Sequence, residues 1–163
     1  MDISIMDMSI KLPQPPDELA VMLVFGKIRR QLNLRALQAL KPSGVGTRQA
    51  VLLREISILK TASPVQLARL TQTDPAATGR IIQSFIRKDW ARRVDDPRDR
   101  RSWKVSLTER GARVAARLEG VWRTLAGDFC GHLGPRERKA LFRHLSLISN
   151  RLETRLGAGK GAS

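Results

Sequence analysis

Two groups of side chains in this sequence have the type and spacing to do chemistry. Arg80, Gln83 and Arg87 recur at intervals of three and four, preceded by Ala76 and Gly79, while Arg98, Arg100 and Arg101 crowd a short segment around Asp99. A guanidinium offers paired planar donors that fit a phosphate or the edge of a guanine, and a glutamine carboxamide matches the edge of an adenine. Ala76 brings only a methyl, suited to apolar contact with thymine. These groups support recognition of a polyanion, not the making of bonds.

Catalysis finds no support beside them. The chain has no glycine-rich phosphate loop, no nucleophile signature and no carboxylate pair in a plausible pocket. Asp95, Asp96 and Asp99 lie among arginines, where carboxylates serve as ion-pair partners. The expectation is a protein that is not an enzyme and uses no cofactor. One cysteine excludes an internal disulfide framework, and the isolated His132 and His144 do not make a metal site. Cys130 adjoins an apolar stripe and reads as a packing residue; the alternative, a redox-sensing thiol, needs exposure and cationic neighbours.

Composition agrees with a binding role. A length of 163 residues allows one domain with helical extensions. Thirty Lys and Arg against fifteen Asp and Glu leave +15 at pH 7, and 42% hydrophobic residues are too many for a disordered basic tail. A folded basic domain with an anionic partner is expected. No run approaches the ~20 apolar residues of a membrane span, and the N-terminal stretch lacks a signal-peptide pattern, so a cytoplasmic protein with no membrane partner is expected.

The elements that must position these groups are legible from periodicity and caps. Asp17 opens a long helix striped by Val21, Phe25, Ile28, Leu32, Ala36 and Leu40, which stops at Lys41-Pro42-Ser43-Gly44. A second helix from about Thr47 to Ile58 turns Val51, Leu52, Leu53 and Ile56 inward. Ser63-Pro64-Val65-Gln66 reads as a capping box that starts a short helix through Leu70. Asp74-Pro75 starts another, to about Lys88, with Ala77, Thr78, Ile81 and Phe85 on one side and Ala76, Arg80, Gln83 and Arg87 roughly opposite. The second set is either a face for the major groove of DNA or merely the solvated side of an amphipathic helix.

From Ala91 the pattern becomes a small hairpin, Ala91 to Val94 and Ser102 to Leu107, joined by a basic turn from Asp95 to Arg101. Trp90 and Trp103 are expected to anchor its strands. Thr108 caps a helix striped by Val114, Leu118, Val121, Leu125, Phe129 and Leu133. After Gly134-Pro135 a last helix carries Leu141, Leu145, Ile148, Leu152 and Leu156. Trp122 either lines a pocket or fills a core. Helix, short helix, turn, helix and hairpin, in that order, is the layout of a winged helix-turn-helix. The expected fold class is mainly α, with a two-stranded β-wing and long helical dimerisation segments.

The segment from Gln66 to Gly111 resembles the multiple-antibiotic-resistance regulator (MarR) family. The resemblance rests on Leu67-Ala68, on Arg80, and on Asp96-Pro97-Arg98-Asp99-Arg100-Arg101 followed by Leu107-Thr108-Glu109-Arg110-Gly111. It implies a homodimer whose terminal helices intertwine, two winged domains on a pseudopalindromic DNA operator, and often a small anionic or phenolic effector held between the dimerisation and DNA-binding parts. The resulting expectation is a sequence-specific DNA-binding transcription regulator, a repressor released by an anionic or aromatic effector whose binding residues are unknown. Ala76, Gly79, Arg80, Gln83, Arg87, Arg98, Arg100 and Arg101 are the expected DNA contacts, with Asp99 as structural anchor of the wing.

Two departures from the family stand out. Ala76, Ala77 and Gly79 replace residues that usually carry hydroxyls, which keeps a low-specificity, architectural nucleic-acid binder as the alternative. Asp89 stands where a turn glycine is usual.

The expected organisation is an arm and first dimerisation helix over 1–46, a DNA-binding domain over 47–113, dimerisation helices over 114–156 and a flexible tail over 157–163. Ile3, Ile5, Met6, Met8 and Ile10 either pack on a partner as an arm or stay unstructured. Long apolar stripes at both ends exceed what a small winged domain can cover, an independent physical reason to expect a second subunit. The charge is spread unevenly. The segment 47–113 holds fifteen bases and seven acids, net +8, the largest share of any segment.

Overall fold

Side-chain caps start most of the helices. The Ala20 N–H donates to Asp17 Oδ1 (2.7 Å), the Gln66 N–H to Ser63 Oγ (3.1 Å), the Ala77 N–H to Asp74 Oδ2 (2.7 Å) and the Gly111 N–H to Thr108 Oγ1 (3.1 Å). Each satisfies a first-turn donor that has no partner inside its own helix. The computed structural model describes residues 17–96 and 99–158, the side chains at 96, 99–102 and 156–158 apart. The proposed N-terminal arm, Arg98, and the side chains of Asp99, Arg100 and Arg101 lie outside the described residues.

The helices are α1 (Glu18–Leu40), α2 (Thr47–Leu59), α3 (Pro64–Leu70), α4 (Pro75–Arg87), α5 (Glu109–Cys130) and α6 (Pro135–Ala158). The strands are β1 (Thr61–Ala62), β2 (Ala91–Asp96) and β3 (Asp99–Leu107), and a single 3-10 turn, Lys41–Ser43, joins α1 to α2. This is a mainly helical winged helix-turn-helix with a small antiparallel sheet in the order β1-β3-β2.

The sheet corrects the expectation of two strands. Thr61 and Ala62 pair with Ser106 and Val105, so β3 is the central strand and its inner end is covered on both edges. Two residues cannot display a period, which is why β1 leaves no pattern in the sequence. The hairpin strands also run further than expected, with pairing from Ala91 opposite Leu107 to Asp96 opposite Asp99 and a register shift between Asp95 and Asp96. Charged residues interrupt the apolar alternation there, so the strands leave no pattern at their outer ends.

One core closes the winged segment. Leu52, Leu53 and Ile56 of α2, Leu67 of α3, Ile82 and Phe85 of α4 and Val105 of β3 are fully buried together. Each such side chain contributes about 1.5–3 kcal/mol by leaving water. Ala36 and Leu40 at the end of α1 and Leu118 of α5 are also buried, and α5 packs on both α1 and α2.

The remainder of α1 and all of α6 behave differently. The α1 stripe emerges toward its start, with Val21 and Phe25 more than half exposed. None of the described side chains of α6 is buried, and Phe142 is 75% exposed. The helix α6 makes only sparse contact with the rest of the chain. Among the described residues no helix is long and apolar enough to cross a membrane.

Candidate nucleic-acid interface

The helix α4 is locked by one face and free on the other. Thr78, Ile82 and Phe85 are buried and Ala77 and Ile81 half-buried, while Ala76, Arg80, Gln83 and Arg87 are all exposed. Gly79 sits between the two faces, half-buried. Ile82 was missing from the expected inward set, although at 100° per residue it lies only about 40° from Thr78. The buried wedge is rotated toward Ile82 because the helix packs against both α3 and β2.

The end of α4 is held in an unusual way. The Asp89 N–H donates to the Ile86 carbonyl (3.0 Å) and the Trp90 N–H to the Phe85 carbonyl (2.8 Å), the paired bonds of a Schellman cap. Such a cap needs a left-handed residue, and Asp89 supplies it at φ +55° in place of glycine. The Trp90 backbone thus closes the cap of α4 immediately before β2 begins, and its side chain packs against the core. Its ring packs on Phe85 (5.9 Å between centroids) and under the Lys88 ammonium (4.6 Å).

The wing projects from this point. Trp103 of β3 is covered by the Arg93 guanidinium of β2, 4.4 Å from the ring centroid, a cation–π contact that stiffens the hairpin across its strands. The Arg92 Nε–H donates to Ser106 Oγ (3.3 Å). Arg92 and Arg93 are exposed and add positive charge to the wing.

A second feature was not foreseen in the sequence. Where the turn after α1 meets the first half of α5, a cleft of about 670 Å³ is lined by Val45, Trp90, Val114, Leu118 and Val121 and bordered by Arg110, Arg113 and Arg117. The three arginines follow a spacing of three and four beside the Val114, Leu118 and Val121 stripe, which was the available signal. Their significance needed the opposite wall, some 70 residues away in the chain. The cleft combines an apolar interior with guanidinium groups at its edge, a lining suited to an aromatic anion.

Trp122 does not line the cleft. It is half-buried against the core, and its Nε1–H is buried without a partner. Cys130 is half-buried, not enclosed, and its thiol donates to the Ala126 carbonyl one turn back (3.3 Å). The helix α5 ends at Cys130 instead of running on to Leu133 as expected. Among the described residues no group of three or more His, Cys, Asp and Glu could hold a metal ion.

Comparison with known proteins points to one family. Residues 43–102, from the turn after α1 to the start of the second wing strand, match the model of the MarR family. The multiple antibiotic resistance protein MarR of Escherichia coli (strain K12) is 29% identical over 75 residues, 46% of this chain. The match spans about half (52%) of the length of that relative. Among solved structures, the S. aureus MepR-DNA complex aligns with a TM-score of 0.70 at 16% identity, covering 80% of this chain and 96% of the other. Bordetella bronchiseptica BpsR, solved in a study of how 6-hydroxynicotinic acid regulates its DNA binding, aligns with a TM-score of 0.70 at 22% identity, covering 79% and 92%. At these identities the structural likeness establishes the shared fold, and it extends well beyond the segment matched by sequence.

Proposed function

This chain is related to the MarR family through residues 43–102, and from that premise we propose that it is a transcription regulator that binds an operator in double-stranded DNA as a homodimer. The observation that carries the reading is the division of α4. Its inner face is fixed in the core, and Ala76, Arg80, Gln83 and Arg87 stand exposed together on the outer face. Arg80 and Gln83 are the base-reading residues, Ala76 and Gly79 allow close approach, and Arg87 engages phosphate. Arg98, Arg100 and Arg101 extend the contact from the wing into the adjacent minor groove, with Asp99 holding one of them in place.

A second copy supplies what α1 and α6 lack. Their exposed apolar side chains are covered in a two-fold dimer formed by 1–46 and 114–156, leaving 47–113 to bind DNA. Two recognition helices related by that axis meet half-sites about one turn, roughly 34 Å, apart.

Regulation follows from the cleft. A small aromatic acid seated on Val114 and Val121 with its carboxylate toward Arg110, Arg113 or Arg117 would release the repressor, provided that it binds the DNA-free arrangement more tightly. Titrating aromatic acids into a DNA complex tests this clause, and no loss of affinity with any of them removes it.

The central test is competition between an operator and random DNA at fixed salt. A specific regulator prefers its operator by ~10³-fold or more. A ratio near one overturns the reading and favours a basic architectural protein, the direction in which Ala76, Ala77 and Gly79 would point.

A further inference from the structure

A side-chain hydroxyl, with the backbone N–H beside it, joins the end of α4 to the start of α5. Thr108 Oγ1–H donates to the Asp89 carbonyl at 2.7 Å, and the same oxygen accepts the Gly111 N–H at 3.1 Å. The Thr108 N–H donates to the Trp90 carbonyl at 3.1 Å. Gly111 lies directly on that carbonyl, since a β-carbon there would collide with the Trp90 oxygen. The carbonyls of Asp89 and Trp90, just past the C-cap of α4, are thus both received by the N-cap of α5. The Asp89 carbonyl belongs to the residue at φ +55°, so the bond also holds the left-handed turn that directs the chain out of α4.

We propose that Thr108 is a positioning residue for operator selection. Added to the core contacts on the inner face of α4, the Asp89 bond sets the angle of α4 to α5, and so the separation of half-sites that the dimer accepts. The inference rests on the DNA-binding reading above and adds a specificity role for a residue that does not touch DNA. Geometry sets the scale. Thirteen residues make α4 about 20 Å long. A swing of about 10° at its capped end moves the other end by roughly 3 Å, close to the rise of one base pair. Small angular freedom at this junction therefore blurs register on DNA.

The chemistry of the junction separates capping from coupling. Capping α5 needs only an acceptor, and Asp17 and Asp74 perform that task for α1 and α4. Holding the Asp89 carbonyl needs a donor, which a carboxylate does not have. Thr108→Asp keeps the cap and loses the coupling, Thr108→Val loses both, and Thr108→Ser keeps both.

The experiment selects operator DNA from a random pool with the wild-type protein. It then measures affinity for that operator, for versions with the half-site separation changed by one base pair, and for a single half-site. Expected for the wild type is about a tenfold loss on changing the separation. In Thr108→Asp and Thr108→Val this discrimination falls to about threefold or less, relative to an unchanged single half-site preference, and Thr108→Ser restores it. If Thr108→Val does not fold, Thr108→Asp carries the test, with its thermal unfolding measured alongside. Discrimination in Thr108→Asp equal to wild type overturns the inference while leaving the operator reading intact. A pool that yields no enriched sequence overturns the operator reading itself, and the inference with it.

Discussion

The winged segment and the flanking helices solve the problem of burial in opposite ways. Between α2 and β3 the chain completes its own core, with Leu53, Ile56, Leu67, Ile82 and Phe85 fully enclosed. The helices α1 and α6 also carry apolar stripes in sequence, yet Phe25 of the first and Ile148 and Leu152 of the second stay more than half exposed, as does Phe142 beside the α6 stripe. Apolar periodicity thus states that a face will be buried without stating by what. In the winged segment the cover lies within the same chain. For α6 it has to come from outside, and a second copy is the cover we propose.

The sharpest way to break this contrast is to place charge on the uncovered face. Ile148→Asp combined with Leu152→Asp should weaken the dimer by about 4 kcal/mol or more, since each carboxylate would be buried without a partner. Analytical ultracentrifugation should then find monomers, with the far-UV circular dichroism of the winged segment retained. A dimer that persists would mean that a different face joins the subunits.

The next largest effect belongs to the segment that closes on itself. Gly111→Ala forces a methyl against the Trp90 carbonyl and should cost about 3 kcal/mol, read as a fall in the midpoint of thermal unfolding. A change below about 1 kcal/mol would show that the junction between α4 and α5 gives way easily, against the rigidity claimed for it.

Two smaller changes sharpen the comparison. Asp89→Gly relieves a left-handed residue at φ +55° and should stabilise the protein by about 0.5–1 kcal/mol, less than the full strain because glycine is freer in the unfolded chain. A loss of stability would mean that the carboxylate itself has a role. Arg35 and Asp128 join α1 to α5 at 2.7 Å, but their side chains are 57% and 39% exposed. Arg35→Ala should therefore shift stability by only about 0.5 kcal/mol or less, and that shift should shrink further in high salt. A larger shift would show that ion pairing, not apolar cover, holds the flanking helices.

How much could be read in advance follows the range of the interactions involved. The caps at Asp17, Ser63, Asp74 and Thr108 are formed within three residues, and all four side chains cap as the sequence implied, although Ser63 does so without the reciprocal Gln66 bond of a full capping box. The outward face of α4 was equally legible, because a helix of fixed pitch assigns Ala76, Arg80, Gln83 and Arg87 to one side. The left-handed turn at Asp89 was marked by a residue type that tolerates it. Other features had no local signal. Strand β1 is two residues long and exists only through its pairing with Ser106 and Val105. The cleft exists only because the turn after α1 comes to rest against Trp90 and α5. The part of the Trp90 N–H in the Schellman cap likewise depends on how the chain leaves α4.

The sequence by itself therefore determined the six helices, their order, the caps that start four of them and the side of α4 that carries arginine and glutamine. Each of these follows from backbone geometry and hydrogen bonds that act over one or two turns. Tertiary structure decided which apolar stripes are closed within the chain, which side chains wall the cleft, and that the Thr108 hydroxyl reaches the Asp89 carbonyl nineteen residues back. Contacts between segments depend on how whole elements pack, and packing is set by the combined shape of every buried side chain rather than by the spacing along any one of them.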